Sequence, residues 1–200
     1  EIGSDIYTRT NYIIVQSSQE SFPYSEPFSG SDMLSSFDFI SEPESGNINW
    51  SINENVGHYE QGSLWIDNGN LDEPYEAEVF SKQFNLVDLD TVYLSFWYAY
   101  AQKHPETDDR LRFYTSNSCG QSWALREMFR GDGDLNTAGS SQLSEFIPSG
   151  KSQWVFYSYP LAQSDFSENF SFKFRFTNDN GNHVYIDDIN LSSSDLSLLE

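Results

Sequence analysis

The sequence predicts an all-β protein, an antiparallel β-sandwich of the jelly-roll kind. Three observations carry that expectation. Aromatic residues make up 16% of the chain, with 12 Tyr, 16 Phe and 5 Trp, while hydrophobic residues reach only 38%. Large rings filling few core positions suit a sandwich better than Leu-rich helices. Short β-branched and aromatic runs recur between Gly, Pro, Asn, Asp and Ser clusters, giving about eight to ten strands and one segment that fits strand or helix. Finally, residues 170–176 place Phe at every second position, the period of a strand with one buried face.

Taken in order, residues 12–15 are a β-branched run that reads as the last strand of an upstream module or an edge strand of this one. Residues 16–36 are rich in Ser, Pro, Gly and Glu and read as linker and irregular approach, anchored by Phe22, Tyr24 and Phe28. Residues 37–40 read as a short strand. In 48–52, Ile48, Trp50 and Ile52 alternate with Asn49 and Ser51. A strand over 63–68 ends at the turn signal Asn68-Gly69-Asn70, and 78–84 continues the sheet. The longest strand signal is 91–100, with Val92, Leu94, Phe96 and Tyr98 on a core face and Tyr93, Ser95, Trp97 and Ala99 outward or under a loop. Residues 111–116 are a strand, 122–129 fit strand or helix, and 131–144 are a long Gly/Asp/Ser loop. Strands over 154–159 and 170–176 lead to the closing strand, 184–191, which carries the adjacent acids Asp187 and Asp188. The domain is expected over 19–192, with 1–18 ending an upstream module and 193–200 a tail toward a further domain.

The 31 acids and 10 bases give a net charge of -21. Such a field repels phosphate backbones, excludes nucleic acid as a partner and favours divalent cations, as on a secreted or cell-surface protein. The single Cys119 rules out an internal disulfide and a multi-cysteine zinc site. No apolar run approaches the roughly 18 residues of a membrane span. Glu1-Ile2-Gly3-Ser4 has no signal character, and the chain reads as a piece of a longer one.

Several segments occur in an order that resembles a known module: Ser63-Leu64-Trp65, the run Leu94-Ser95-Phe96-Trp97-Tyr98-Ala99, Ser116-Asn117-Ser118-Cys119-Gly120-Gln121-Ser122-Trp123, and Asn182-His183-Val184-Tyr185-Ile186-Asp187-Asp188-Ile189. They resemble the jelly-roll domain that follows a PKD-type domain in secreted bacterial metallopeptidases of the cytophagalysin/pappalysin kind and in other type IX secretion cargo. More distantly they are similar to animal MAM domains. The resemblance implies a MAM-like, non-catalytic accessory module of a secreted or cell-surface multidomain protein. It would act in scaffolding or in protein or substrate interaction, with neighbouring domains of the same chain, a surface protein or a polysaccharide as partners. Phe28-Ser29 departs from the Phe-Glu usual in such modules, which withdraws one metal ligand.

The resemblance also implies a structural calcium ion that joins the first strands to the last. The matching acid is Asp187 or Asp188, with Asp187 at the position the resemblance points to. From their place in the chain, Glu26 near the entry and Asp67 or Asn68 at the strand end after Trp65 are further candidate ligands, since calcium takes six to eight oxygens. Strand periodicity sends Asp187 and Asp188 to opposite faces unless a bulge intervenes. The bland reading is that one of them caps a turn or pairs with Arg110, Arg112 or Arg175. For sugar stacking the candidates on loops or outward faces are Tyr59, Tyr75, Trp97, Tyr100 and Tyr157, whereas Trp50, Trp65, Trp123 and Trp154 are expected to fill the core. No enzyme is expected in this chain. His58, His104 and His183 lack a His-Glu-x-x-His context, Cys119 is a lone thiol, and no glycosidase carboxylate signature appears.

Overall fold

The computed structural model describes residues 19–29, 49–68 and 75–199. The strands expected at 12–15 and 37–40 lie outside these residues. Twelve strands follow in chain order: β1 (Gln19–Glu20), β2 (Tyr24–Glu26), β3 (Ser51–Asn53), β4 (Ser63–Ile66), β5 (Glu76–Phe80), β6 (Gln83–Phe84), β7 (Tyr93–Tyr100), β8 (Arg110–Ser116), β9 (Ala124–Arg130), β10 (Val155–Pro160), β11 (Ser171–Thr177) and β12 (Val184–Ser192). The ambiguous 122–129 segment is strand β9, and the segment expected to be linker contains β1 and β2. The described helical pieces are three short 3-10 turns.

Strands alternate between two sheets, the wrapping of a jelly roll. The larger sheet runs β10-β7-β12-β4-β3, with β2 also on β12; the smaller runs β5-β11-β8-β9. Among the described residues all pairs within these sheets are antiparallel, and only the two-residue β1–β6 pair is parallel.

Period-two patterning fills the space between the sheets. From the larger sheet come Leu94, Phe96, Tyr98, Val184, Ile186, Ile189 and Leu191, all buried. The smaller sheet contributes Val79, Leu111, Phe113, Phe129 and the alternate Phe172, Phe174 and Phe176. Phe96 sits at the centre, with ring centroids 4.9 Å from Phe174, 5.3 Å from Tyr157 and 6.1 Å from Phe113, edge-to-face or tilted as ring quadrupoles prefer. A second cluster of Ala99, Ala101, Phe146, Trp154 and Tyr185 occupies the opposite face of the larger sheet.

β12 carries the adjacent acids through a bulge. Asp187 lies opposite Trp97 and Asn190 opposite Ser95, so three steps on β12 match two on β7. The extra residue is Asp188, whose φ of 48° is left-handed, a region Asp tolerates better than most residues. Without the bulge, alternation from Val184 and Ile186 would aim Asp188 at the core. With it, Ile189 and Leu191 regain the core face while Tyr185 and Asp187 share the other.

Phe96→Ala is expected to lower stability by about 3–5 kcal/mol, since it leaves a ring-sized cavity among rings that cannot collapse into it. Denaturant unfolding reads this; a loss below about 1 kcal/mol would mean that Phe96 is not central.

Candidate functional site

The bulge has a second effect. On the edge away from β7, residues 184–186 pair with β4, whereas residues 189–191 pair with β2. Asp187 and Asp188 therefore stand where β4 gives way to β2. Asp187 is 1% exposed, and its carboxylate accepts from the His58 backbone N–H at 2.7 Å and from the Asp188 N–H at 2.7 Å. The buried Glu26 of β2 accepts from the Phe28 N–H at 2.9 Å. Burial pushes the Asp187 carboxyl up to about 8, and the negative charges of Asp188 and Glu26 add to the rise, only partly offset by the two N–H bonds. Extending the β4–β12 register by one residue sets Ser63 opposite Asp187. The Ser63 hydroxyl is fully buried and has no hydrogen-bond partner. Gly62 closes the gap at a φ of 133°, where an added Cβ would meet the Phe28 carbonyl oxygen at 1.8 Å.

Of the five candidate calcium ligands, Asp187 and Asp188 adjoin in the bulge of β12, and Glu26 lies on the neighbouring β2 opposite Ile189, close enough for its charge to act on Asp187. Asp188 turns its Oδ2 to His58 Nδ1 at 3.0 Å, neither toward an arginine nor toward Glu26. Asp67 and Asn68 are corrected: antiparallel pairing carries the end of β4 away from Asp187, roughly 13 Å along the strand. The Asp67 side chain is largely exposed, 3.4 Å from His183 Nδ1. Asn68 is buried in a different network, donating to Asp109 at 3.2 Å and to the Asn182 carbonyl at 2.9 Å.

That network is built on Asp109, which also accepts from the Tyr100 hydroxyl at 2.8 Å and the Asp179 N–H at 2.6 Å. Burial still raises its carboxyl to about 6, because the donors return only part of the lost hydration. Tyr75 joins by donating to Asn68 Oδ1 at 2.8 Å. Tyr75 and Tyr100 are therefore corrected as stacking candidates: both are buried, with hydroxyls committed inside and held up above the ordinary phenol range by burial and the Asp109 charge.

Tyr157 is corrected too, since its half-buried ring packs 5.0 Å from Phe129 and its hydroxyl donates to Glu127. Trp97 does point away from the main core, yet the His58 ring stacks on it at 3.9 Å and 16° and covers one face. Among the five candidates only Tyr59 is largely exposed, at 73%, and Lys151 Nζ lies 3.7 Å over its ring.

The surface missed by sequence reading is the outer face of the smaller sheet. Its registers align three rows of side chains across β5, β11, β8 and β9: Phe80, Lys173, Tyr114 and Leu125; then Glu78, Arg175, Arg112 and Met128; then Glu76, Thr177, Arg110 and Arg130. Trp123, half-buried and not a core residue as expected, lies beside the first row, 5.6 Å from Phe80. The Lys173 ammonium sits 4.8–5.2 Å from the Trp123, Tyr114 and Phe80 rings and 2.7 Å from Glu78. Burial lowers its pKa despite that carboxylate. Outward alternation in β8 and β11 was readable in the sequence, but which strands lie side by side was not.

No family profile matches the chain, and no curated protein matches it. Solved structures do. The K3 cleaved adhesin domain of Lys-gingipain from Porphyromonas gingivalis superposes with a TM-score of 0.62 at 14% identity, over 86% of this chain and 98% of that one. The K1 domain of the same protein gives 0.60 at 12% identity, over 86% and 99%. The K2 domain gives 0.57 at 15%, over 85% and 99%. These likenesses are of fold, and with the strand order above they establish an antiparallel jelly-roll sandwich.

Gly181 has no room for a side chain, because an added Cβ would lie 1.6 Å from an Asp109 carboxylate oxygen. Gly181→Ala is expected to cost about 3 kcal/mol by displacing that buried acid. Gly150→Ala, which meets open space, is the control, and equal losses in urea unfolding would refute the constraint.

Proposed function

We propose that the chain is a non-catalytic accessory module of a secreted or cell-surface multidomain protein, a metallopeptidase by the resemblance of its motifs. It acts in scaffolding or in protein and substrate interaction, and it carries a structural calcium ion between its first and last strands. The observation that supports the ion is the buried Asp187 carboxylate, whose charge burial and the nearby Asp188 and Glu26 charges disfavour, opposite the unpartnered Ser63 hydroxyl. Oxygen donors gathered around buried negative charge suit a hard cation. Among the described residues no three His, Cys, Asp or Glu side chains form a metal-binding group, so backbone carbonyls and water would complete the shell. Asp187 and Glu26 would hold the ion, whose charge would remove the cost of burying both acids. Among the described residues no helix is long and apolar enough to cross a membrane, a statement that leaves β-barrels aside.

The mixed aromatic and charged face of the smaller sheet favours a second reading, in which the module holds a polysaccharide.

Calcium is expected to raise the thermal midpoint and EDTA to lower it by several degrees, because a ligand that binds only the folded state stabilises it. Asp187→Asn is expected to abolish the calcium response. The pH dependence follows from the sign of the shift: a carboxyl raised from about 4 to about 8 on folding disfavours the ionised folded state. Metal-free stability therefore falls as pH rises through that window, and calcium flattens the slope. A midpoint indifferent to EDTA and calcium at pH 8 would sink the calcium reading.

A further inference from the structure

We infer that the outer face of the four-stranded sheet binds a neutral polysaccharide, laid over the Phe80, Tyr114 and Trp123 rings and hydrogen-bonded by the arginine and glutamate rows beside them. This rests on the second reading above and adds the surface and the class of ligand.

Five of the ten bases in a chain of net charge -21 lie on this one face: Arg110, Arg112, Arg130, Lys173 and Arg175. The register sets Arg175 directly opposite Arg112, and Arg110 directly opposite Arg130. Like charges paired across strands are destabilising unless something lies between them. Here something does. Glu76 reaches both Arg112 and Arg175 at 3.6 Å, and Glu78 binds Arg175 at 2.5 Å and Lys173 at 2.7 Å. Asp108 binds Arg110 and lies 3.2 Å from Arg130, which also holds Asp132 at 3.0 Å. Five positive groups meet four negative ones, and the face is a charge-balanced island on an acidic molecule.

That balance selects the ligand. A polyanion is repelled by the molecule as a whole and finds each arginine of this face already paired. A polycation is drawn to the more acidic surfaces elsewhere. A neutral polyol needs no charge: its hydroxyls accept from the guanidinium N–H groups and donate to the carboxylates without breaking the ion pairs. Such charge-assisted bonds are the stronger kind. The ion pairs also hold the long side chains in place, which lowers the entropy lost on binding.

The first row supplies the other half of sugar recognition, half-exposed rings whose faces meet the apolar side of a pyranose. Lys173 is only 4% exposed and lies against all three rings, and Arg175 lies 5.5 Å from the Tyr114 ring, so both hold the row as cation–π partners. Four strands and three rows make a patch about 14 Å on a side, long enough for several linked sugars.

The test is affinity gel electrophoresis of the intact chain in hydroxyethyl cellulose, xylan, galactomannan and laminarin, with alginate and polygalacturonate as charged arms. At least one neutral polymer is expected to retard the protein. Trp123→Ala and Tyr114→Ala are each expected to weaken that retardation about tenfold or more, while Tyr59→Ala leaves it unchanged. Trp123 lies outside the strands, so its variant is expected to melt with the parent and separates binding from folding. Retardation by neutral polymers that survives in a folded Trp123→Ala protein overturns the surface and leaves polysaccharide binding standing. Retardation by the charged polymers alone overturns the ligand class. Silence across the neutral panel overturns the inference together with the second reading, and the calcium result is independent of all three.

Discussion

The extra residue at Asp188 is the constraint on which the rest of the molecule depends. β12 is flanked on one side by β7 and on the other by two strands in succession, β4 and then β2. One inserted residue lets both of its halves present apolar side chains to the same core. A left-handed φ on a non-glycine residue costs about 1–2 kcal/mol. The alternative costs more, since an unshifted register would bury the Asp188 carboxylate among rings and expel Ile189 and Leu191. The same insertion sets Asp187 at the junction where β4 gives way to β2, opposite Ser63 and one strand from Glu26.

Two buried carboxylates show two ways of tolerating a charge. Asp109 has a tyrosine hydroxyl, an asparagine amide and a backbone N–H aimed at it, and Gly181 passes close enough to wall it in. Asp187 has two backbone donors and another acid as neighbour, so burial pushes its carboxyl higher, to about 8 against about 6. Donors complete the first site; the second is electrostatically unfinished. On the smaller sheet the problem is inverted, with arginines crowded together and carboxylates placed between them.

Much of the fold was legible because each buried strand face announces itself by alternation. Phe170 to Phe176, Val92 to Tyr98, and the split between core and outer residues of β7 all stand where period two puts them. The same rule applied two residues further assigns Tyr100 to the core, so its candidacy as an exposed ring conflicted with the pattern itself. Strand β2 was hidden because three residues among Ser, Pro and Glu carry too little periodicity to be told from linker. The bulge was anticipated only as a condition, since nothing in Asp-Asp specifies a left-handed φ. Asp67 and Asn68 were misjudged for want of register. The Arg, Glu and aromatic rows were missed because they exist only once four strands separated in sequence lie side by side.

The pairing of β2 with the second half of β12 has a kinetic side. Tyr24, Ser25 and Glu26 meet Leu191, Asn190 and Ile189, so the sheet pairs segments more than 160 residues apart in sequence. Contacts between segments so far apart in sequence form late, because closing the intervening loop costs entropy before any contact repays it. A chain that emerges N-terminus first, from a ribosome or through a membrane pore, offers β2 no partner until β12 is out. Until then its aromatic strands hold unpaired edges, and the domain completes itself only when the last of them arrives.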